Sequence, residues 1–244
     1  DRRYKALFWE HNVLPNGEPT GRECLTKDPR PEGMWISFSQ DGLHWRDYDK
    51  NPVHPGGSDS GQCVLYDEDL KKYVLYSRVN VGRRISRATS DDFIHWTEPE
   101  LVFGADDMDP PDTLIYGSGF CIYEGMYLGT PWMWYRGTDH RIDVQLIHSR
   151  DGITWHRTAG RERIIPNGPE GAWDSGIIFT ASHPVILEDR ILIYYYGMQG
   201  DHSAHPLRNW EEHKRYYRGG IGVGTLRRDG WVSLDFPISG GHVI

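Results

Sequence analysis

The chain has 244 residues, a formal net charge of −8 and 25% charged side chains, a length that fits one all-β domain. No basic stripe offers a surface to nucleic acid or to an anionic membrane, and the apolar runs, such as Ile191 to Tyr196, are far too short to span a bilayer. Three cysteines, Cys24, Cys63 and Cys121, are too few for a disulfide framework and lack zinc-ligand spacing. No cofactor or metal is therefore expected. The chain opens Asp1-Arg2-Arg3 without the apolar core of a signal peptide, which leaves the compartment open, secretion and the periplasm included.

Taken in order, Tyr4 to Trp9 reads as a strand from its aromatic content, and residues 10–32, rich in Pro, Gly and charge, read as a loop. Gly33 to Ser39 is the next strand. Gln62 to Tyr66, Lys72 to Ser77 and Arg83 to Thr89 follow as three strands, closed by Trp96 to Phe103, where Pro99 suits an edge. A third group starts at Leu114 to Tyr123 and continues through Met126 to Gly129 and Val144 to His148. A fourth comprises Gly176 to Phe179, Pro184 to Leu187, Ile191 to Tyr196, Gly220 to Leu226 and Trp231 to Leu234, with a polar insertion over residues 199–218 that carries His202, His205 and His213. No capping box leads into a sustained helical period.

A short box punctuates these groups. It reads Ser39-x-Asp41-Gly42-x-x-Trp45, Ser90-x-Asp92-Phe93-x-x-Trp96 and Ser149-x-Asp151-Gly152-x-x-Trp155, with a looser copy at Arg228 to Trp231. The tryptophans stand 51 and 59 residues apart. A period near 50 residues carried by turn residues is the sequence mark of a β-propeller. Ser and Asp bond their own backbone in such a turn, Gly supplies a positive φ, and the Trp starts the next strand and packs on its own blade. Four blades, the first lacking its innermost strand, lead to the expectation of a five-bladed β-propeller: a single domain over residues 1–244, part of a longer parent chain.

A propeller gathers the starts of its innermost strands around one mouth of the central channel. Those positions here are acidic: Asp59-Ser60-Gly61, Asp109-Pro110-Pro111-Asp112 and Trp173-Asp174-Ser175-Gly176. Carboxylates crowded at one mouth split into protonated and ionised members, the division of labour that glycosidic cleavage needs. The competing reading is that each Asp only caps its own turn. Asp59, Asp112 and Asp174 are the candidate catalytic residues. Asp109, Trp173, Arg87, Glu170 and His202 are the candidate substrate contacts: Glu170 lies in the loop before Asp174 and could also serve as a general acid, and Arg87 belongs to a basic cluster with Arg78, Arg83 and Arg84. Glu124 reads as a turn at the opposite rim. Ten Trp and fourteen Tyr exceed what a core of this size needs and suit stacking on sugar rings.

Asp59-Ser60-Gly61-Gln62 with Tyr66-Asp67, Lys72 to Tyr76, Arg83-Arg84 and Ser90-Asp91-Asp92-Phe93-x-x-Trp96 resemble the five-bladed propeller proteins allied to glycoside hydrolase families 32 and 43, which include bacterial relatives of uncharacterised function. The resemblance implies attack on a furanoside or pyranoside by three carboxylates: a base or nucleophile, a transition-state-stabilising Asp and a general acid Glu. The Trp-x-Asn-Asp-Pro start of the nucleophile strand is not present, and Lys27-Asp28-Pro29 matches the Arg-Asp-Pro motif only loosely. The expected function is hydrolysis of an oligo- or polysaccharide, with carbohydrate as the partner. The alternatives are a non-catalytic carbohydrate-binding propeller, a structural propeller and, from the boxes alone, a sialidase.

Overall fold

The structure, a computed structural model, describes residues 2–10, 30–54, 61–79, 82–203 and 218–232. Among these, the regular elements are strands and one turn of 3-10 helix at Ala159–Arg161. The strands fall into successive antiparallel meanders. The first is β1 (Tyr4–Glu10), β2 (Gly33–Ser39) and β3 (Trp45–Asp47). The second is β4 (Cys63–Asp67), β5 (Lys72–Val79), β6 (Arg84–Ser90) and β7 (Glu100–Phe103), paired in that order. The third contains β8 (Thr113–Tyr123), β9 (Met126–Tyr135), β10 (Ile142–Gln145), β11 (Ile147–Ser149), β12 (His156–Arg157) and β13 (Arg163–Ile165). The fourth contains β14 (Ile177–Thr180), β15 (Val185–Ile186), β16 (Arg190–Met198) and β17 (Gly219–Arg227). The box follows β2 and β6 in the first two meanders, so β1 to β3 correspond to the outer three strands of the second.

Three details depart from the sequence reading. The stretch from Val144 to His148 forms two short strands rather than one. Both pair with β9, in one register, and Pro131, which has no N–H to donate, stands beside the break. The third and fourth meanders also meet: β10 and β14 pair in parallel through Ile142 and Ile177, merging the two into one ten-stranded sheet. Trp231 lies in a turn rather than starting a strand, where it packs on Tyr123 with ring centroids 5.9 Å apart; Leu234 lies outside the described residues, as do His205 and His213.

The core is split into slabs, each shared between neighbouring meanders. Ile36 and Phe38 of β2 pack with Phe93, Val64 and Tyr73 of the second meander. Cys63, Val74, Tyr76 and Ile85 meet Ile115, Phe120, Met133 and Ile147 of the third. Trp132, Trp134, Ile142 and Val144 meet Ile177, Ile178, Ile191 and Ile193 of the fourth. Each fully buried isoleucine contributes roughly 1.5–3 kcal/mol relative to exposure. No sheet can bury both faces alone, so the slabs hold the meanders face to face and fix which strand ends share a rim.

The turns of the boxes form as the sequence predicts, although Trp96 does not start a strand, β7 beginning only at Glu100. Ser39 Oγ accepts the Gly42 N–H at 2.9 Å, and Asp41 Oδ1 accepts the N–H groups of Leu43 and His44 at 2.8 Å; Ser90–Asp92 and Ser149–Asp151 repeat the pattern. Gly42 and Gly152 sit at φ 80° and 70°, and Phe93 holds the same position at φ 70°. A non-glycine residue there costs of order 1–3 kcal/mol. Burial offsets the cost: Phe93 is 2% exposed and its ring meets Phe38, Tyr73 and Trp96 edge-on. Trp45 starts β3 but is half exposed, whereas Trp155 reaches beyond its own meander to Tyr76.

Candidate functional site

The starts of β8 and β14 are tied to one turn, residues 136–141, that follows β9. Tyr135 N–H donates to Arg141 O, and Ile142 N–H donates to Gly176 O, both at 3.0 Å. His202 N–H donates to His140 O at 2.9 Å. Asp112, through Arg136, and His202 therefore bond to this turn, and Asp174 lies two residues before Gly176.

Asp112 immediately precedes β8, at φ 56°. Arg136 grips it with two hydrogen bonds, Nε to Oδ2 at 2.6 Å and Nη2 to Oδ1 at 2.8 Å. This fork holds the exposed carboxyl well below the usual carboxylate range, so Asp112 is ionised at neutral pH and is no proton donor. Asp174 precedes β14 and accepts a hydrogen bond from the Tyr195 hydroxyl at 3.1 Å. Burial, with Asp174 adding to it, pushes the Tyr195 phenol up. Trp173 stacks on Tyr195, with centroids 5.7 Å apart and planes 15° from parallel. Glycines make room for this pair. A Cβ at Gly197 would stand 2.6 Å from both Asp174 Cβ and Trp173, one at Gly220 would stand 3.3 Å from Trp173, and one at Gly222 would run into the Tyr195 ring. Glu170 is exposed in the loop leading to Trp173. Asp59 lies outside the described residues.

Asp109 has a different setting. Its side chain is 3% exposed, with Arg157 Nη2 at 2.6 Å and Arg161 Nη1 at 3.0 Å. Arg157 also donates to Gln145 Oε1 at 2.7 Å. Asp109 thus faces two arginines rather than open space. Arg87 stands opposite Tyr76 in the β5–β6 register, several residues from the turn that joins those strands.

Arg78 and Arg83 lie on either side of that turn, both against the Tyr116 ring. Their guanidinium carbons lie 4.8 and 5.1 Å from the Tyr116 ring centre, and Arg83 lies 5.0 Å from Trp134. His202 packs against the same two rings, at 4.7 Å from Tyr116 and 4.6 Å from Trp134. Burial, then Arg83 and Arg78, push the His202 imidazole below its ordinary value, so it is neutral at pH 7. Arg83 Nη1, Trp134 Nε1 and His140 Nδ1 are buried without a hydrogen-bond partner among the described residues. Each such group costs about 1–3 kcal/mol where nothing satisfies it. Tyr116, Trp134, His140 and Arg136 carry no sequence motif, and only their nearness to strand ends marks them. Among the described residues, no three His, Cys, Asp or Glu side chains gather in a way that would hold a metal ion.

The sequence matches no protein-family model and no curated protein. Solved structures do resemble this one. An N-acetylgalactosamine deacetylase from F. plautii, in complex with blood group B trisaccharide, superposes with a TM-score of 0.60 at 17% identity, over 80% of this chain and 64% of that one. A GH32 β-fructofuranosidase of Bombyx mori gives 0.52 at 15% identity, over 90% and 44%. The fold is that of β-propeller glycoside hydrolases. A β-1,2-mannobiose phosphorylase from Listeria innocua, in complex with β-1,2-mannobiose, gives 0.55 at 18% identity, over 93% and 64%. The chain therefore spans less than two thirds of each of these proteins. A deacetylase, a hydrolase and a phosphorylase stand side by side, so this glycoside hydrolase-like fold is compatible with more than one reaction and the site must argue for one.

Proposed function

We propose that this chain is a glycosidase-like, five-bladed β-propeller that cleaves a glycosidic bond in an oligo- or polysaccharide at its axial mouth. The observation that carries the reading is that one turn is bonded both to Asp112, through Arg136, and to Gly176, two residues after Asp174, so that carboxylates from the starts of two successive inner strands flank it. Asp112, ionised beside Arg136, is the stabilising carboxylate for an oxocarbenium-like transition state. Asp174 and Asp59 are the acid–base pair, with Glu170 the nearest further proton donor in sequence. Trp173 and His202 contact the sugar. Asp109 supports the rim through Arg157 and Arg161, and Arg87 stands back from the mouth.

One observation favours a second reading, a propeller that binds carbohydrate without cleaving it. Asp112 and Asp109 are both engaged by arginines, which blunts a carboxylate's ability to stabilise positive charge. The two readings separate in a hydrolysis screen over nitrophenyl furanosides, pyranosides and polysaccharide fragments, with Asp174→Asn and Asp59→Asn beside the parent. Release that disappears in both variants supports the glycosidase. Release that survives both overturns the assignment, and saturable binding with no product at any pH establishes the binding module.

A further inference from the structure

We propose that the mouth holds a negatively charged substituent of its sugar, a carboxylate or phosphate oxyanion, between the Arg83 guanidinium and the Trp134 and His140 ring N–H groups. The inference deepens the carbohydrate reading above and rests on it. A chain of net charge −8 has drawn two guanidinium groups to one ring: Arg78 and Arg83 both lie within about 5 Å of Tyr116. Like charges so placed repel, an arrangement that an anion relieves. Two carboxylates of this region have other partners. Asp112 is taken by the Arg136 fork, and Asp201 accepts the Ser203 N–H and hydroxyl.

The donors point to the same chemistry. Arg83 Nη1, Trp134 Nε1 and His140 Nδ1 are buried, and none has a partner among the described residues. Arg83 and the indole are in contact across 5.0 Å. His140 joins them through His202, whose backbone it binds and whose ring lies on Trp134. His140 is held at φ 58°, a conformation that few non-glycine residues adopt. A guanidinium, an indole N–H and an imidazole N–H form a donor-rich set suited to an oxyanion, whereas a neutral sugar hydroxyl satisfies only part of it.

The test is calorimetric and independent of turnover. The whole chain is titrated with galacturonate, galactose, galactose 1-phosphate and inorganic phosphate, alongside Arg83→Gln, Trp134→Phe and, as a distant control, Arg190→Gln. The expected result is that at least one charged sugar binds about tenfold more tightly than galactose, that added salt narrows the gap, and that Arg83→Gln removes it while Arg190→Gln does not. Trp134→Phe keeps the ring and lowers affinity for the charged sugar alone, which guards against an Arg83 variant that fails to fold. Preference for galacturonate identifies a uronate site; preference for the phosphates identifies a phosphate site. Equal binding of charged and neutral sugars overturns the anion site and leaves the glycosidase reading intact. Tight, salt-sensitive binding of a charged sugar, together with no release in the hydrolysis screen above, overturns the glycosidase reading and keeps the anion site. No affinity for any of the four probes overturns the inference.

Discussion

The Asp109 carboxylate and the Arg157 guanidinium lie 2.6 Å apart, with side-chain exposures of 3% and 8%. The pair links the loop before β8 to β12 at the outer edge of the same meander, and Gln145 and Arg161 complete it. Removing one member of a buried pair strands the other's charge. Asp109→Asn is expected to cost about 3 kcal/mol, read as a lowered urea midpoint with an unchanged slope. A neutral effect on stability together with a loss of sugar affinity would instead make Asp109 a substrate contact.

Asp174 should separate from Asp109 in the opposite way. Asp174→Asn preserves shape and the hydrogen bond from Tyr195, so the melting temperature is expected to hold while turnover falls by a factor on the order of 100 or more. Tyr195→Phe removes one hydroxyl and keeps the stack on Trp173, and a decrease of about tenfold in kcat is expected with little change in KM. Equal activity of all three proteins would remove Asp174 from the mechanism.

Gly117 is a packing hinge between two meanders. A Cβ there would stand 2.5 Å from the Trp132 ring and 3.0 Å from Gly61 Cα. Trp132 cannot yield easily, because its Nε1 donates to Thr180 Oγ1 at 2.9 Å and its ring lies on Phe179. Gly117→Ala is expected to destabilise the fold by about 2 kcal/mol, measurable by chemical denaturation; an unchanged midpoint would show that the two meanders slide freely.

Stability should fall on acidification in two separate windows. His202 and His148 both have imidazoles pushed down from about 6.5, chiefly by burial. The unfolded chain therefore binds these protons first, and stability decreases as pH falls below about 6.5. His202→Phe keeps a ring between Tyr116 and Trp134 and should flatten that slope. Asp41 and Asp151 have carboxyls lowered from 3.8, chiefly by the backbone N–H groups of His44 and Thr154. Their contribution is present above the unfolded value and is lost as pH drops through the acid range below it. Asp151→Asn, which still accepts the turn hydrogen bonds, should show a weaker dependence there. Thermal melts across both windows test each slope, and identical slopes in variant and parent would contradict the assignment.

What could be read from the sequence was local. Ser149, Asp151 and Gly152 satisfy one another within four residues, so their turn is legible without tertiary knowledge. Asp112 and Asp174 could be placed because a strand start is a topological position. Partners across the chain were not legible: nothing near Asp109 announces Arg157, 48 residues away. The basic cluster was visible, but hairpin register decides the neighbours of each arginine, and it sets Arg78 opposite Ile85 and Arg87 opposite Tyr76. The parallel contact of Ile142 with Ile177 is likewise a product of packing that no periodicity encodes.

The glycines under Trp173 and Tyr195 give the site a remote adjustment. Gly197, Gly220 and Gly222 belong to β16 and β17, and none is a chemical participant. Any side chain added at one of them would displace the Trp173–Tyr195 stack and, with it, the hydroxyl that meets Asp174. Variation on this strand pair can thus re-aim a candidate acid–base group without touching it. A library confined to these three positions would explore the orientation of Asp174 while every polar group at the mouth keeps its identity.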